Sequence, residues 1–322
     1  MKQFLEHHRG SVPIAVSLLL LIVLYLIGVL SIDGFGGEQT IRAILLLSTF
    51  LGIAAVGQTV VVLGGGIDLS IPFVVGASNV AVAQLSANGM PFGLACVVVI
   101  VGAIAIGALN ANISVRFNVH PLLVTLGVGT ALLGLVQWWT KGLPQGSSPA
   151  WLTDLVSIGA NFGPLPFAPA VALWLVVAIV VIAGLRWTVF GRSLYVVGNA
   201  PAAAELALVS RLSVWTRAFA LSGAFSAVAG ILMLAFTGTA LATVGSDFLF
   251  LSIGAVVIGG TAMTGGVGGY AGTVLGTLTL TTLTTVFVGL GLGTSAQQLV
   301  LGAAIIGLVA FFGREPHIRV RI

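Results

Sequence analysis

Residues 13–30 read PIAVSLLLLIVLYLIGVL, eighteen positions without a charge, behind a polar lead that carries Lys2, His7, His8 and Arg9. About 20 apolar residues cross a bilayer as helix, so the run is long enough to span. It is long for a signal-peptide core and no small-x-small cleavage site follows, so it is expected to stay as a first span. Nine further apolar runs predict spans at about 42–63, 71–88, 92–114, 121–140, 168–186, 215–236, 248–263, 271–290 and 296–312. The runs are near-continuous and do not alternate, which argues against a barrel. The expected fold is all-α: a polytopic membrane protein of about ten transmembrane helices, forming one domain over residues 1–322.

Composition agrees. A hydrophobic fraction of 58%, a charged fraction of 6% and a mean hydropathy of +1.18 exclude an ordinary soluble domain, in which about 25% of residues are charged. The expected spans put Lys2, Arg9, Arg116, Arg186, Arg192, Arg211, Arg217, Arg314, Arg319 and Arg321 on one side, and only Arg42 and Lys141 on the other. Cytoplasmic loops retain Lys and Arg, so both termini and the loops 116–120 and 187–214 are expected to be cytoplasmic, and 141–167 periplasmic. With no Arg/Ser-rich presequence, a bacterial inner membrane is the expected location. The basic residues are scattered over several loops, which speaks against nucleic acid as a partner. Cys96 lies alone in an apolar run, so there is no disulfide framework.

Two glycine-rich breaks interrupt the helical pattern, near 64–72 and 259–269. Gly65, Gly66 and Asp68 mark the first, Gly259 and Gly260 the second. Similar runs precede them, Val61-Val62-Leu63-Gly64-Gly65 and Val256-Val257-Ile258-Gly259-Gly260; they suggest an internal repeat and are too short to define one. Asp68 is the nearest approach to an intramembrane charge. It reads first as a cap, accepting from freed N–H groups at the next helix start near residue 70, and second as an ion or proton site.

The inventory excludes catalysis. His7, His8, His120 and His317 sit at termini or membrane edges, and no metal-ligand spacing occurs; catalytic residues, metal and cofactor are all expected to be none. The remaining intramembrane polar groups are neutral. Asn79, Asn110, Asn112, Thr125, Gln137, Trp138 and Thr261 are candidates to line a path for a neutral polyhydroxylated solute. The hydroxyls read first as interhelical glue and Trp138 first as part of an interfacial aromatic belt, while the three asparagines, costlier to bury unpaired, read either way.

Residues 191–207 carry Gly191-Arg192, then Gly198-Asn199, then Ala202-Ala203-Ala204-Glu205. This resembles the cytoplasmic coupling segment of ribose-type sugar permeases of ABC importers, in the branched-chain amino acid/sugar permease superfamily. Gly57-Gln58-Thr59 followed by Gly65-Gly66-Ile67-Asp68-Leu69-Ser70 is similar to that family's signature. His120-Pro121-Leu122-Leu123-Val124-Thr125-Leu126-Gly127 resembles its Pro-x-x-x-Thr-Leu-Gly element, and Ala255–Thr261 with Gly265-Gly266-Val267-Gly268 its late glycine motif. The resemblance spans about residues 42–312. Departures occur at Ser70-Ile71-Pro72, where the family has Ser-Val-Gly, and at Leu208-Val209-Ser210-Arg211, where it has Ser-Gly-Ile.

The resemblance implies a transmembrane permease subunit importing a sugar or similar polyol by alternating access. Its implied partners are a cytoplasmic ABC ATPase subunit, a second permease subunit, a periplasmic sugar-binding protein, the sugar and membrane lipid; ATP hydrolysis would belong to the ATPase. Gly191, Arg192, Gly198, Asn199, Ala203, Ala204 and Glu205 are the expected ATPase-coupling residues. Without the resemblance, Pro201 already suits the first turn of a short surface helix, and Gly191 and Gly198 suit tight turns beside it. The other reading is an ion- or proton-coupled secondary transporter, with Asp68 as its site.

Overall fold

The computed structural model describes residues 12–293, 295–300 and 302–303. Twelve helices run through it: α1 (Val12–Ser31), α2 (Glu38–Leu63), α3 (Ile71–Ala87), α4 (Phe92–Arg116), α5 (Pro121–Thr140), α6 (Ala150–Leu155), α7 (Pro169–Trp187), α8 (Val189–Asn199), α9 (Pro201–Leu206), α10 (Arg211–Thr237), α11 (Phe248–Ile258) and α12 (Tyr270–Gly289). Seven are long and apolar enough to cross a membrane; α3 and α11 are apolar but shorter. The expected tenth span is helical over 295–300, and most of it lies outside the described residues. The multi-pass membrane architecture follows from lipid chemistry, because a helix satisfies its own backbone where no water can.

α2 is the central post, buried along most of its length. α10 packs against α2, α3 and α4, while α12 packs against α2, α11 and α1. α1, α4 and α5 turn most of their surface outward, as lipid-facing helices do. The Ser17 hydroxyl of α1 donates to the Ile258 carbonyl at the end of α11. One core cluster runs from Leu46 and Phe50 to Trp174 and Phe248. A second joins Val60, Val61 and Leu63 of α2 to Leu194 and Val197 of α8, Ala204 of α9, and Trp215 and Phe219 of α10. The short helices α8 and α9 are therefore built into the bundle and do not merely connect spans.

The two glycine breaks share one geometry. Gly65 has φ +80° and Gly260 φ +80°, a region where only glycine sits without strain. Gly65 N donates to Val62 O and Gly66 N to Val61 O; Gly260 N donates to Val257 O and Thr261 N to Val256 O. Both are Schellman closures that satisfy the last carbonyls of a helix. The expected span 248–263 therefore stops at Ile258, because Gly260 reverses the chain. The repeat that the two short runs suggest has a structural counterpart in these paired helix ends.

Arg116, Arg186, Arg192 and Arg211 collect at the end of the bundle where α2 terminates. Arg42 marks the opposite end, paired with Glu38 at 2.5 Å and touching Gly159 O at 3.4 Å.

Candidate functional site

At the basic end, three chain segments meet. Thr188 caps α8 by accepting from Gly191 N at 3.1 Å, and Pro201 opens α9 after Ala200. The last turn of α8 lies across the end of α2 and the late glycine loop. A Cβ on Gly198 would fall 2.0 Å from Leu63 O and 2.6 Å from Gly266 N, while Gly266 N itself donates to Leu63 O at 2.9 Å. The Tyr195 hydroxyl donates to Gly268 O at 2.8 Å, and burial pushes its phenol pKa up. Trp215 Nε1 donates to Gly64 O at 2.8 Å, and the Arg211 guanidinium lies 4.2 Å from the Trp215 ring centre. The α8–α9 hairpin thus grips both glycine breaks at once.

The expected coupling residues divide by face. Gly191 and Gly198 lie inside helix α8, not in turns beside it, and each is there because neighbouring backbone leaves no room for a Cβ. Arg192 is exposed, donating from Nη1 to Trp187 O at 3.2 Å. Asn199, Ala203 and Glu205 are exposed, whereas Ala204 is only 1% exposed and packs inward. The prominent outward groups are Leu206 at 88% and Leu208 at 93% exposure. Leu208 stands in a left-handed conformation, φ +58°, which is uncommon for a branched apolar residue. Reading from sequence missed both leucines, though two leucines in an otherwise small-residue loop were a usable signal.

Asp68 sits in the first break, buried to 3% exposure. Its Oδ1 accepts from Ser70 N at 2.8 Å and Ser70 Oγ at 2.5 Å, and its Oδ2 from Ser222 Oγ of α10 at 2.6 Å. Asn110 Nδ2 donates to Ser70 Oγ at 3.0 Å, and Leu69 N donates to Thr125 Oγ1 at 3.0 Å. Asp68, Ser70, Asn110 and Thr125 hold the break from three sides. Nothing in the sequence near Ser222 announced its part.

The seven path candidates do not gather in one place. Asn79 is fully buried and bridges α10 to the segment before α11: its Nδ2 donates to Gly230 O at 3.3 Å and its Oδ1 accepts from Leu241 N at 2.8 Å. Asn110 and Thr125 serve the break. Asn112 donates to Ala108 O at 2.7 Å and Thr216 Oγ1 at 3.4 Å. Thr261 Oγ1 accepts from Gly269 N at 3.2 Å inside the second break. Gln137 is exposed, and Trp138 lines an apolar cleft of about 400 Å³ with Val74, Ala77 and Trp139. Gln58, in the Gly57-Gln58-Thr59 run, is buried with neither amide atom hydrogen-bonded. Among the described residues no group of His, Cys, Asp and Glu could hold a metal ion.

Comparison with known proteins bears on this arrangement. Residues 40–309 match the family described as branched-chain amino acid transport system / permease component. The chain is 33% identical to the probable ABC transporter permease protein YphD of Escherichia coli strain K12, over 95% of this chain and 90% of that protein. It is 30% identical to the autoinducer 2 import system permease protein LsrD of Escherichia coli strain SMS-3-5 / SECEC, over 71% of this chain and 70% of that one. No solved structure matches it.

Proposed function

The chain belongs to the family of branched-chain amino acid transport system permease components and is an ABC transporter permease; we propose that it imports a sugar or similar polyol across the bacterial inner membrane by alternating access. The observation that carries this reading is the junction of α8 with the two glycine breaks. A rigid push on the α8–α9 hairpin reaches the end of α2 through Gly198 and the second break through Tyr195 and Gly266. A motor acts on transport only through a differential affinity for two states, and this junction is where such a difference would be felt in the membrane helices.

In the proposed assembly the basic end faces the cytoplasm, and residues 141–167 face the periplasm. A cytoplasmic ABC ATPase docks on the outward face of the hairpin, with Leu206 and Leu208 as apolar knobs and Ala203, Glu205 and Asn199 around them. A second permease subunit and a periplasmic sugar-binding protein complete the importer, and residues 1–322 act as one permease domain.

A free amino acid brings two charges, and the one deeply buried carboxylate among the described residues, Asp68, already accepts three hydrogen bonds. A neutral polyhydroxylated solute asks only for amides and hydroxyls. Those three hydrogen bonds speak for a structural role over ion coupling.

The test is uptake into vesicles reconstituted with the ATPase and binding protein, across sugars, polyols, autoinducer 2 and leucine. ATP-dependent uptake of a neutral hydroxylated solute is expected. Uptake driven by a proton gradient without ATP, or uptake of leucine alone, would refute the proposal.

A further inference from the structure

A cleft of about 540 Å³ opens at the basic end between the last turn of α7, the outer face of α8 and the start of α12. Ile182, Leu185 and Val196 give it apolar walls, and Arg186 and Arg192 line it as well. No acidic residue lines it. Arg186 makes no side-chain hydrogen bond or ion pair among the described residues, and Arg192 uses one nitrogen on Trp187 O. Two arginines therefore line one cleft with most of their donors free among the described residues.

The cleft's depth in the membrane is marked by its neighbours. Trp187 is 71% exposed at the end of α7, where an aromatic side chain settles at headgroup level. Below it, Ile179, Val180 and Ile182 continue outward-facing along the same helix, so the apolar wall runs on into the lipid-facing surface. An anion bound here meets cations at headgroup height and hydrocarbon just beneath.

We propose that this cleft binds an acidic phospholipid, with its phosphate on Arg186 and Arg192 and its glycerol and upper acyl chain against Ile182 and Leu185. Guanidinium groups pair with phosphate through parallel N–H donors, and basic pockets between membrane helices hold anionic headgroups. A free inorganic phosphate would leave the apolar wall unfilled. The leaflet, the cytoplasmic one, follows from the orientation proposed above; the site itself does not depend on the cargo. Such a lipid would touch α7, α8 and α12 together.

The test uses the full-length chain, purified in detergent and delipidated, then incubated with phosphatidylglycerol or phosphatidylcholine and read by native mass spectrometry. Selective retention of phosphatidylglycerol is expected. The Arg186→Gln/Arg192→Gln double variant should lower it on the order of thirty-fold, at about fivefold per basic group near an acidic headgroup. Arg186→Lys/Arg192→Lys should retain clearly more than the Gln pair but less than wild type, because charge is kept and the paired N–H donors are lost; this separates lost charge from lost fold. Arg116→Gln, elsewhere at the basic end, should leave it unchanged. Equal retention of both lipids would overturn the proposal, as would an equal loss in Arg116→Gln. Displacement of the lipid by inorganic phosphate would reassign the cleft to a free anion, and displacement by the purified ATPase would reassign it to the protein partner; either result rejects a lipid site.

Discussion

Gly198→Ala adds one methyl group at the point where the hairpin touches the bundle. Its Cβ would lie 2.0 Å from Leu63 O and 2.6 Å from Gly266 N, where ordinary contact begins at 3.4 Å. α8 and the end of α2 must therefore separate by roughly 1.4 Å, and both neighbours are backbone and cannot rotate aside. Overpacking of this kind costs about 1–3 kcal/mol. Loss of the Gly266 N to Leu63 O bond removes about 1 kcal/mol more. Alanine recovers up to about 1 kcal/mol of helix propensity, leaving a net loss of about 1–3 kcal/mol. If the junction transmits motion, that loss falls on the coupled state, and each 1.4 kcal/mol is about tenfold. ATP-driven uptake in reconstituted vesicles is expected to fall about fivefold to 150-fold, with a lowered unfolding temperature in detergent. Gly184→Ala is the matched control, because its added Cβ meets nothing within 4 Å; it should be neutral or slightly stabilising. Wild-type uptake and unfolding temperature in Gly198→Ala would refute the idea that this contact matters.

Replacing Leu206 and Leu208 with Ser should leave the permease folded, since both side chains are exposed, and weaken capture of the ATPase at least tenfold in a pull-down titration. Ala204→Arg should instead lower the yield of monodisperse protein on gel filtration, because Ala204 is buried. Asp68→Asn should retain substantial transport, with the amide oxygen still accepting from Ser70 N, whereas Asp68→Ala strands Ser70 N and Ser222 Oγ and should destabilise by about 2–4 kcal/mol in denaturant unfolding. Cysteines introduced at Ser147 and Ala202, both exposed, in a Cys96→Ala background should label from outside and only after permeabilisation, respectively; the reverse pattern would invert the orientation.

The membrane architecture was legible because lipid leaves the backbone few choices, and apolar runs such as 13–30 and 121–140 lie within a residue or two of α1 and α5. The glycine breaks were legible as interruptions, and the identical φ of Gly65 and Gly260 gives them a common form. Side-chain assignments were harder. Asn79 reads like a path residue until its partner Leu241 N, 162 positions away, is seen, and no local pattern reports so distant a contact. The direction of Ala204 was equally hidden, since the six residues of α9 make under two turns and show no usable periodicity. Exposure of Leu206 and Leu208 depends on where that short helix ends.

α11 has 11 residues, about 16 Å of helix, roughly half the hydrocarbon thickness of a bilayer. The irregular stretch before it, residues 238–247, is seated against Pro72, Val75 and Gly76 of α3 and hydrogen-bonded by Asn79. Neither piece can cross a bilayer by itself, since bare backbone polar groups are not tolerated in hydrocarbon. This sets an order on biogenesis. The first four spans can enter the membrane one at a time as the ribosome delivers them, but the segment from Gly238 to Ile258 has no stable place until α3 is standing with Asn79 ready. A full-length chain from which α3 has been deleted should therefore leave that segment open to protease in membrane vesicles.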